Sequence, residues 1–424
     1  MDIYYLYCMN DAECKNIGGN PNYLLPTPSS IIFLSINSLF LCKSPALIMD
    51  STPDLHPTSE KHKESRALVF DTSLIEKQEN LPSQFLWPHE DLAYESEDEF
   101  NEPPVDLRGF FNGDQEAVNL AAKQIRLACL NHGFFHVINH GVAATTIQAV
   151  YEHLDAFFRL PLRKKLALKR KPGNLCGYSG AHADRFSSKL PWKETLSFTY
   201  EHENEHGLDV VNYIKSIMGE EFEEAGYAYQ TYCEAMKNLS FIIFELLAIS
   251  LGVDRFHYRD FFGDGTSLMR GNNYPPCKEA GLTLGTGPHS DPNSLTILHQ
   301  DQVGGLEIFS NNKWVAIRPR HDAFVVNLGD TFVALSNGKY KSCLHRAVVN
   351  KEKVRRSLVF FVNPKEDKVV RPPAGLIRGG DEPKEYPDFT WSDLREFTQN
   401  YYRADTDTLH NFVQWLRSAE DGQV

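Results

Sequence analysis

The segment 267–302, SLMRGNNYPPCKEAGLTLGTGPHSDPNSLTILHQDQ, holds His289 and Asp291 two residues apart at the mouth of an apolar run. On a strand, residues two apart point to the same side. An imidazole and a carboxylate sharing one face make two-thirds of a 2-His-1-carboxylate site, which takes iron(II) and leaves coordination positions open. A histidine from a neighbouring strand would complete it, and His345 in SCLHRAVV is the candidate. Ten and twelve residues further on, in KVRRSLVFFVNP, stand Arg355 and Ser357, expected on the next strand with both side chains turned inward. Arginine grips a carboxylate through two parallel hydrogen bonds. An open metal face beside a buried arginine and a hydroxyl suits a chelating oxo-acid co-substrate such as 2-oxoglutarate. Arg356 would point the other way, to solvent.

Spacing alone does not single out this pair, because His299 and Asp301 repeat it within the same segment. His321, in an apparent loop, has no carboxylate beyond its neighbour Asp322, and His136 and His140 in the β-rich FFHVINHG read as structural.

Tyr274 in NNYPPC, then LTLGTGPHSDPNSLTILHQDQVGGLEIF, then HRAVVNKEKVRRSLVFFVNP, together resemble the plant iron(II)- and 2-oxoglutarate-dependent dioxygenases, and the likeness runs over about 81–416. LPWKETLSF at 190–198 is similar to the stretch that marks gibberellin 20-oxidases within that family. The resemblance implies a double-stranded β-helix (jelly-roll) core with His289, Asp291 and His345 as iron ligands; GPHSDP matches the ligand motif, which leaves His299 to packing near the site. It implies that Arg355 with Ser357 anchors the far carboxylate of 2-oxoglutarate, that Tyr274 adds a hydrogen bond and that Asn272 helps. Asn273 stands where the family more often has a second tyrosine.

The same resemblance implies that dioxygen and 2-oxoglutarate are consumed, with ascorbate as supporting reductant. It also implies that carbon 20 of a gibberellin precursor passes from methyl to alcohol to aldehyde and is then lost, giving 19-carbon products. Another gibberellin position or a flavonoid-type metabolite is the alternative within the family. A non-catalytic binding protein on the same roll is the alternative outside it, and the presence of every ligand together with Arg355 speaks against that reading. A gibberellin precursor is an apolar fused-ring acid, so its pocket should pair aromatics such as Trp192 and Phe198 with a cation, for which Lys193 and Arg185 are the candidates. A surface position for Lys193 beside Glu194 fits as well.

These groups need strands to hold them. After Asp264 the pattern turns to period two in short runs, LTILHQ, GLEIF, KWVAI, AFVVNLG, TFVAL, CLHRAVV and SLVFFV, separated by Gly, Asn and Asp turns, which calls for a sandwich or jelly roll. Upstream, Asp114 caps a helix with Val118, Ala121, Ala122, Ile125 and Ala128 on one stripe and Gly133 at its close. Further helices are expected at about 144–158, 226–251, 391–402 and 406–416. The predicted class is α+β, mainly β. The expected organisation is an atypical extension at 1–48, a mobile arm at 49–80, a helical and mixed region at 81–263, the jelly-roll domain at 264–364 and C-terminal helices at 365–424. The apolar run at 31–42 is too short to span a bilayer, and nothing basic precedes it as a secretory signal requires. LPSQFLWPHEDL at 81–92 is expected to pack in extended form. The basic PLRKKLALKRK at 161–171 reads as a solvated face.

Across 424 residues, 43 basic against 56 acidic side chains give a net charge of −13, which argues against a nucleic-acid surface, and 42% hydrophobic residues suffice for a sizeable core. Eight cysteines without C-x-x-C spacing suit a reducing compartment. A cytoplasmic monomer acting on a small molecule, away from membranes, is the expectation.

Overall fold

The structure, a computed structural model, describes residues 70–72, 80–92, 98–171, 173–183, 186, 188–201, 209–377, 383–401 and 407–420. The 1–48 extension, most of the 49–80 arm and Arg185 lie outside them.

Strand parity organises the fold. The strands are β1 (Val105–Asp106), β2 (Phe134–Ile138), β3 (Gly177–Gly180), β4 (Glu194–Glu201), β5 (Thr266–Tyr274), β6 (Leu284–His289), β7 (Leu295–Gln300), β8 (Leu306–Ser310), β9 (Lys313–Ile317), β10 (Ala323–Leu328), β11 (His345–Val348), β12 (Arg355–Val362), β13 (Val369–Val370) and β14 (Phe389–Thr390). The helices that matter below are α1 (Gln115–Asn131), α2 (Ala144–Phe158), α3 (Leu162–Ala167), α4 (Val210–Met218), α5 (Glu223–Leu251), α6 (His257–Phe261), α7 (Asp330–Leu335), α8 (Trp391–Tyr401) and α9 (Thr408–Glu420). An eight-stranded sheet runs β1-β2-β10-β7-β12-β5-β4-β3, and a four-stranded sheet runs β6-β11-β8-β9. One cavity is lined from both sheets, the jelly-roll arrangement.

On β12, Leu358, Phe360 and Val362 belong to the large core shared with the helices, while Arg355, Val359 and Phe361 line the cavity. On β5, Met269 joins the core, and Leu268, Arg270, Asn272 and Tyr274 line the cavity. The period-two pattern thus separates a helix-backed face from a cavity face. β2, β3 and β4 come from the 81–263 region and are laddered to strands of 264–364, β2 with β10 and β4 with β5. These two stretches therefore build one sheet, and all described residues belong to one compact unit.

The helices follow their sequence signals. The Asp114 carboxylate accepts from the backbone N–H of Glu116 (3.0 Å) and Ala117 (3.1 Å), capping α1 as expected. α5 buries Tyr229, Tyr232, Met236, Ile243, Phe244 and Leu247 in the core and stops at Gly252, whose φ of +73° is open to glycine without strain.

Three expectations are corrected. TFVAL is not a strand but lies in α7, whose six residues are all buried; a run apolar on every side carries no period to tell helix from strand. The basic 161–171 stretch is not wholly solvated, because Lys165 and Arg170 are buried, with Lys165 Nζ bonded to Glu194 and to Phe158 O. In 81–92, Ser83–Phe85 forms a single 3₁₀ turn that sets Phe85 into a small cluster with Phe70 and Trp192. No helix among the described residues is long and apolar enough to cross a membrane. Cys129, Cys176, Cys233, Cys277 and Cys343 are free thiols.

Candidate active site

His289 ends β6 and His345 opens β11, and the antiparallel register sets them opposite one another with ring centroids 4.2 Å apart. Asp291 lies past the end of β6, so it joins them through the turn rather than by strand parity. Its Oδ1 lies 3.6 Å from His289 Nε2 and 3.9 Å from His345 Nε2. One ligand atom from each of the three residues falls within 4.8 Å of the others.

The surrounding bonds aim these atoms. Asp291 Oδ2 accepts from Thr296 Oγ1 (2.6 Å) and Asn327 Nδ2 (3.0 Å), which leaves Oδ1 to face the histidines. His289 Nδ1 lies 2.9 Å from Gly287 O, and His345 Nδ1 lies 3.0 Å from Cys343 O. With Nδ1–H donating in each ring, the Nε2 lone pair is the one presented to a metal. Burial, then the neighbouring His345, pushes the His289 pKa down to about 3. Burial opposes ionisation of Asp291, but His345, His289 and the bonds from Thr296 and Asn327 hold it below the usual carboxylate range. Neutral imidazole and ionised carboxylate are the states a divalent cation binds. Two nitrogens and one oxygen, with no sulfur, fit iron(II) and leave adjacent positions free.

The second group lies on β12 and β5. Arg355 is 1% exposed; its Nη2 donates to Gln300 Oε1 (3.1 Å), while Nε and Nη1 are buried with no hydrogen-bond partner among the described residues. Leaving two charged donors dry and unpaired is costly unless a ligand takes them. Ser357 Oγ accepts from Asn272 Nδ2 (3.1 Å), and Asn272 Oδ1 is again without a partner. The Arg355 guanidinium stands 4.8 Å from the centre of the Tyr274 ring. Burial would raise the Tyr274 phenol, yet Lys193, Arg355 and bonds with Thr286 and Ser357 bring it below its ordinary value. A planar fork with spare donors, flanked by a hydroxyl, fits a carboxylate.

Of the candidates for the organic substrate among the described residues, Lys193 alone lines the cavity, which measures about 480 Å³. Its Nζ donates to Thr286 Oγ1 (2.9 Å), and burial lowers its pKa to about 8. Phe198 lies on the opposite face of β4, in the helix-backed core against Tyr229, five residues and hence the opposite parity from Lys193. Trp192 sits in the cluster with Phe70 and Phe85, its Nε1 donating to Pro275 O (3.1 Å). Neither aromatic reaches the cavity wall. Trp87 does, and Gly287 leaves it room, since a Cβ there would stand 2.1 Å from the indole.

The rival histidines lie elsewhere. His299 is on the helix-backed face of β7, with Tyr151 OH 3.0 Å from its Nδ1, and His321 is exposed. His136 packs among Phe100 and Phe134. Arg356 is half-buried and ion-paired with Asp155 of α2 instead of facing open solvent. Sequence reasoning missed Thr296, Gln300 and Asn327; the first two alternate with Leu298 along SLTILHQ, so parity with a cavity-facing Leu298 was the available signal. It also missed the contribution of α8, from which Trp391, Arg395 and Thr398 close one end of the cavity.

Residues 265–364 match the 2OG-Fe(II) oxygenase superfamily, and residues 103–217 match the N-terminal region described for non-haem dioxygenase in morphine synthesis. The chain is 50% identical over 349 residues to gibberellin 20 oxidase 2 of Arabidopsis thaliana, covering 82% of this chain and 91% of the relative. It is 53% identical over 336 residues to gibberellin 20 oxidase 2 of Oryza sativa subsp. indica, covering 79% of this chain and 85% of the relative. Among solved structures it is similar to JOX2 in complex with 2OG, Fe and JA, with a TM-score of 0.69 and 28% identity over 82% of this chain and 98% of that one.

Proposed function

The chain belongs to the gibberellin 20-oxidases of the 2OG-Fe(II) oxygenase superfamily, and we infer that it is an iron(II)- and 2-oxoglutarate-dependent dioxygenase that oxidises carbon 20 of gibberellin precursors. The observation that carries this reading is a two-histidine, one-carboxylate cluster in the same cavity as a buried arginine with two unused donors.

His289 Nε2, Asp291 Oδ1 and His345 Nε2 would hold the iron. Arg355 and Ser357, with Tyr274 and Asn272 beside them, would hold the far carboxylate of 2-oxoglutarate. Bound iron(II) supplies the oxidising chemistry, in which dioxygen is consumed and 2-oxoglutarate leaves as succinate and carbon dioxide. The chain's own part is positional. Thr296 and Asn327 keep one carboxylate oxygen occupied, so the other stays aimed at the metal position. Gly287 O and Cys343 O fix the two rings. Leu268, Leu298, Val359 and Phe361 give the cavity an apolar floor that keeps water from the reacting carbon.

Methyl, alcohol and aldehyde occupy this one pocket in turn, each oxidation using one dioxygen and one 2-oxoglutarate, before carbon 20 is lost and a 19-carbon product forms. Ascorbate serves as the supporting reductant. The enzyme acts on a small molecule; we place it in the cytosol as a monomer, supported by the net charge of −13 and the free thiols.

The test is incubation of purified protein with iron(II), ascorbate, 2-oxoglutarate and a panel of gibberellin precursors, with products identified by mass over time. The alcohol and then the aldehyde should precede the 19-carbon product. Hydroxylation at another ring position, with carbon 20 untouched, would keep the dioxygenase and overturn the 20-oxidase.

A further inference from the structure

The cavity floor is graded along β5 and β12. Their register pairs Tyr274 with Arg355, Asn272 with Ser357, Arg270 with Val359 and Leu268 with Phe361. From Arg355 to Phe361 the ladder spans about 20 Å at roughly 3.3 Å per residue. Its first two rows are polar, its third sets Arg270 beside Val359 and its last is apolar. Asp291 is tied to Thr296, whose register partner on β12 is Phe361, while the Arg355 guanidinium reaches Gln300, the partner of Ser357, so the metal position lies between that guanidinium and the apolar end. Beyond Phe361 the wall is completed by Asn363 and, from α8, by Trp391 and Arg395.

Of the cations lining this cavity, Lys189 pairs with Asp91 (3.0 Å). Arg346 keeps one bare Nη2 but pairs with Glu307 (2.7 Å), donates to Asp91 O (3.1 Å) and stacks on Trp314, on the four-stranded sheet away from the apolar end. Arg270 donates through Nε to Ser197 Oγ (3.0 Å), with its guanidinium 5.1 Å from the Phe361 ring. Lys193 lies at the co-substrate end, its Nζ 5.9 Å from the same Tyr274 ring that carries the Arg355 guanidinium. A substrate carboxylate on Lys193 would therefore crowd the carboxylate of 2-oxoglutarate, like charge beside like charge in a site of low dielectric. At the opposite end the situation is reversed. Arg395 bonds through Nη2 to the exposed Glu366 (3.2 Å), but its Nε is buried with no partner among the described residues.

We propose that Arg395 of α8 is the anchor for the substrate's carboxylate, so that the acid group of the fused-ring substrate binds at the C-terminal helix and not at Lys193. This rests on the reading of the substrate as a gibberellin precursor acid. The apolar skeleton then lies over Leu268, Val359 and Phe361, between its anchored carboxylate and the metal position. The two acids of the reaction, substrate and 2-oxoglutarate, are held at opposite ends of one ladder.

The experiment compares a precursor acid with its methyl ester on wild type, Arg395→Met, Arg395→Lys and Lys193→Met. Binding is read by quenching of tryptophan fluorescence, to which Trp391 in the cavity wall contributes, and turnover by mass. For Arg395→Met, the acid should bind about ten- to a hundredfold more weakly, the range for losing a charge-assisted bond. Its acid-to-ester preference should vanish, and the KM for 2-oxoglutarate should stay unchanged. Arg395→Lys should recover part of the preference, which separates loss of the anchor from loss of the fold. A full preference in Arg395→Met, or a preference lost in Lys193→Met with Arg395→Met unaffected, overturns the proposal. If the acid binds through Arg395 while carbon 20 stays untouched, the anchor stands and the 20-oxidase reading falls. If carbon 20 is oxidised equally well by Arg395→Met, the reverse holds. Failure of wild type to bind or oxidise the acid removes both.

Discussion

The two faces of the eight-stranded sheet bury charged groups in opposite ways. On the helix-backed face the charges are closed, although the neutral Tyr229 OH, Tyr232 OH and His299 Nε2 have no hydrogen-bond partner among the described residues. Glu194 is 0% exposed yet meets Lys165, Tyr178 OH (2.7 Å) and Asn273 Nδ2 (3.3 Å), and Lys237 Nζ of α5 donates to Phe262 O (2.9 Å) and Gly265 O (3.2 Å). On the cavity face, Arg355 keeps two bare donors and Asn272 a bare acceptor. Burial is the same on both sides; satisfaction of charge is not. A buried charge that is fully bonded serves the fold, whereas one that is left short is held for a ligand.

Substitution can break this comparison, and the largest effect is expected at the metal position. His289→Ala, Asp291→Ala and His345→Ala should each abolish turnover, measured as succinate released, while circular dichroism and melting stay near wild type, because the three line an open site. Retained turnover in any one removes that ligand. Next come the two kinds of buried charge. Lys165→Met strands Glu194 and should destabilise by about 3–5 kcal/mol in denaturant unfolding, the range for breaking a buried pair. Arg355→Met removes a charge the fold does not satisfy, so its midpoint should not fall, although 2-oxoglutarate binding is lost; Arg355→Lys should raise the KM for 2-oxoglutarate far more than that for the precursor. Equal destabilisation by Lys165→Met and Arg355→Met would erase the distinction.

What could be read in the sequence follows the same division. GPHSDP, HRAVV and RRSL are short motifs whose chemistry is local, so the clustering of His289, Asp291 and His345, the buried Arg355 and the antiparallel strands carrying them were legible. Helices with a marked cap or a single apolar stripe, α1 and α2, were legible for the same reason. Thr296 and Asn327 were not, since a threonine and an asparagine acquire meaning only when the fold sets them against Asp291. Trp192 and Phe198 were drawn into the pocket by their chemistry, but strand parity turns Phe198 to the helices and the turn before β4 turns Trp192 to Phe70 and Phe85. Lys165 was averaged into a basic run, and only its partner Glu194, on a strand 29 residues away, shows that it is buried.

Smaller effects sharpen the account. Thr296→Val leaves Asp291 Oδ2 with one donor and should weaken iron(II) affinity about 10- to 100-fold, the range for an outer partner of a metal ligand, as read by metal titration without oxygen. The smallest effect is on stability against pH. Burial lowers both Lys193, on the cavity face, and Lys237, on the helix face, to about 8. Each is depressed below its unfolded value of 10.5, so between these limits the unfolded chain binds more protons and stability should rise with pH through that window. Lys193→Met should flatten the rise seen in unfolding midpoints; an unchanged slope in that variant would mean Lys193 is not desolvated in the folded enzyme.

The most direct test of the division between closed and held charges is the melting temperature of the iron(II)-loaded protein under nitrogen, with and without 2-oxoglutarate, in wild type and in Arg355→Met. The account predicts that 2-oxoglutarate raises the wild-type value and leaves Arg355→Met unmoved, and that the ligand-free variant melts no lower than ligand-free wild type. A variant that melts several degrees lower without ligand, yet gains as much as wild type from 2-oxoglutarate, would show that Arg355 serves the fold and not the co-substrate.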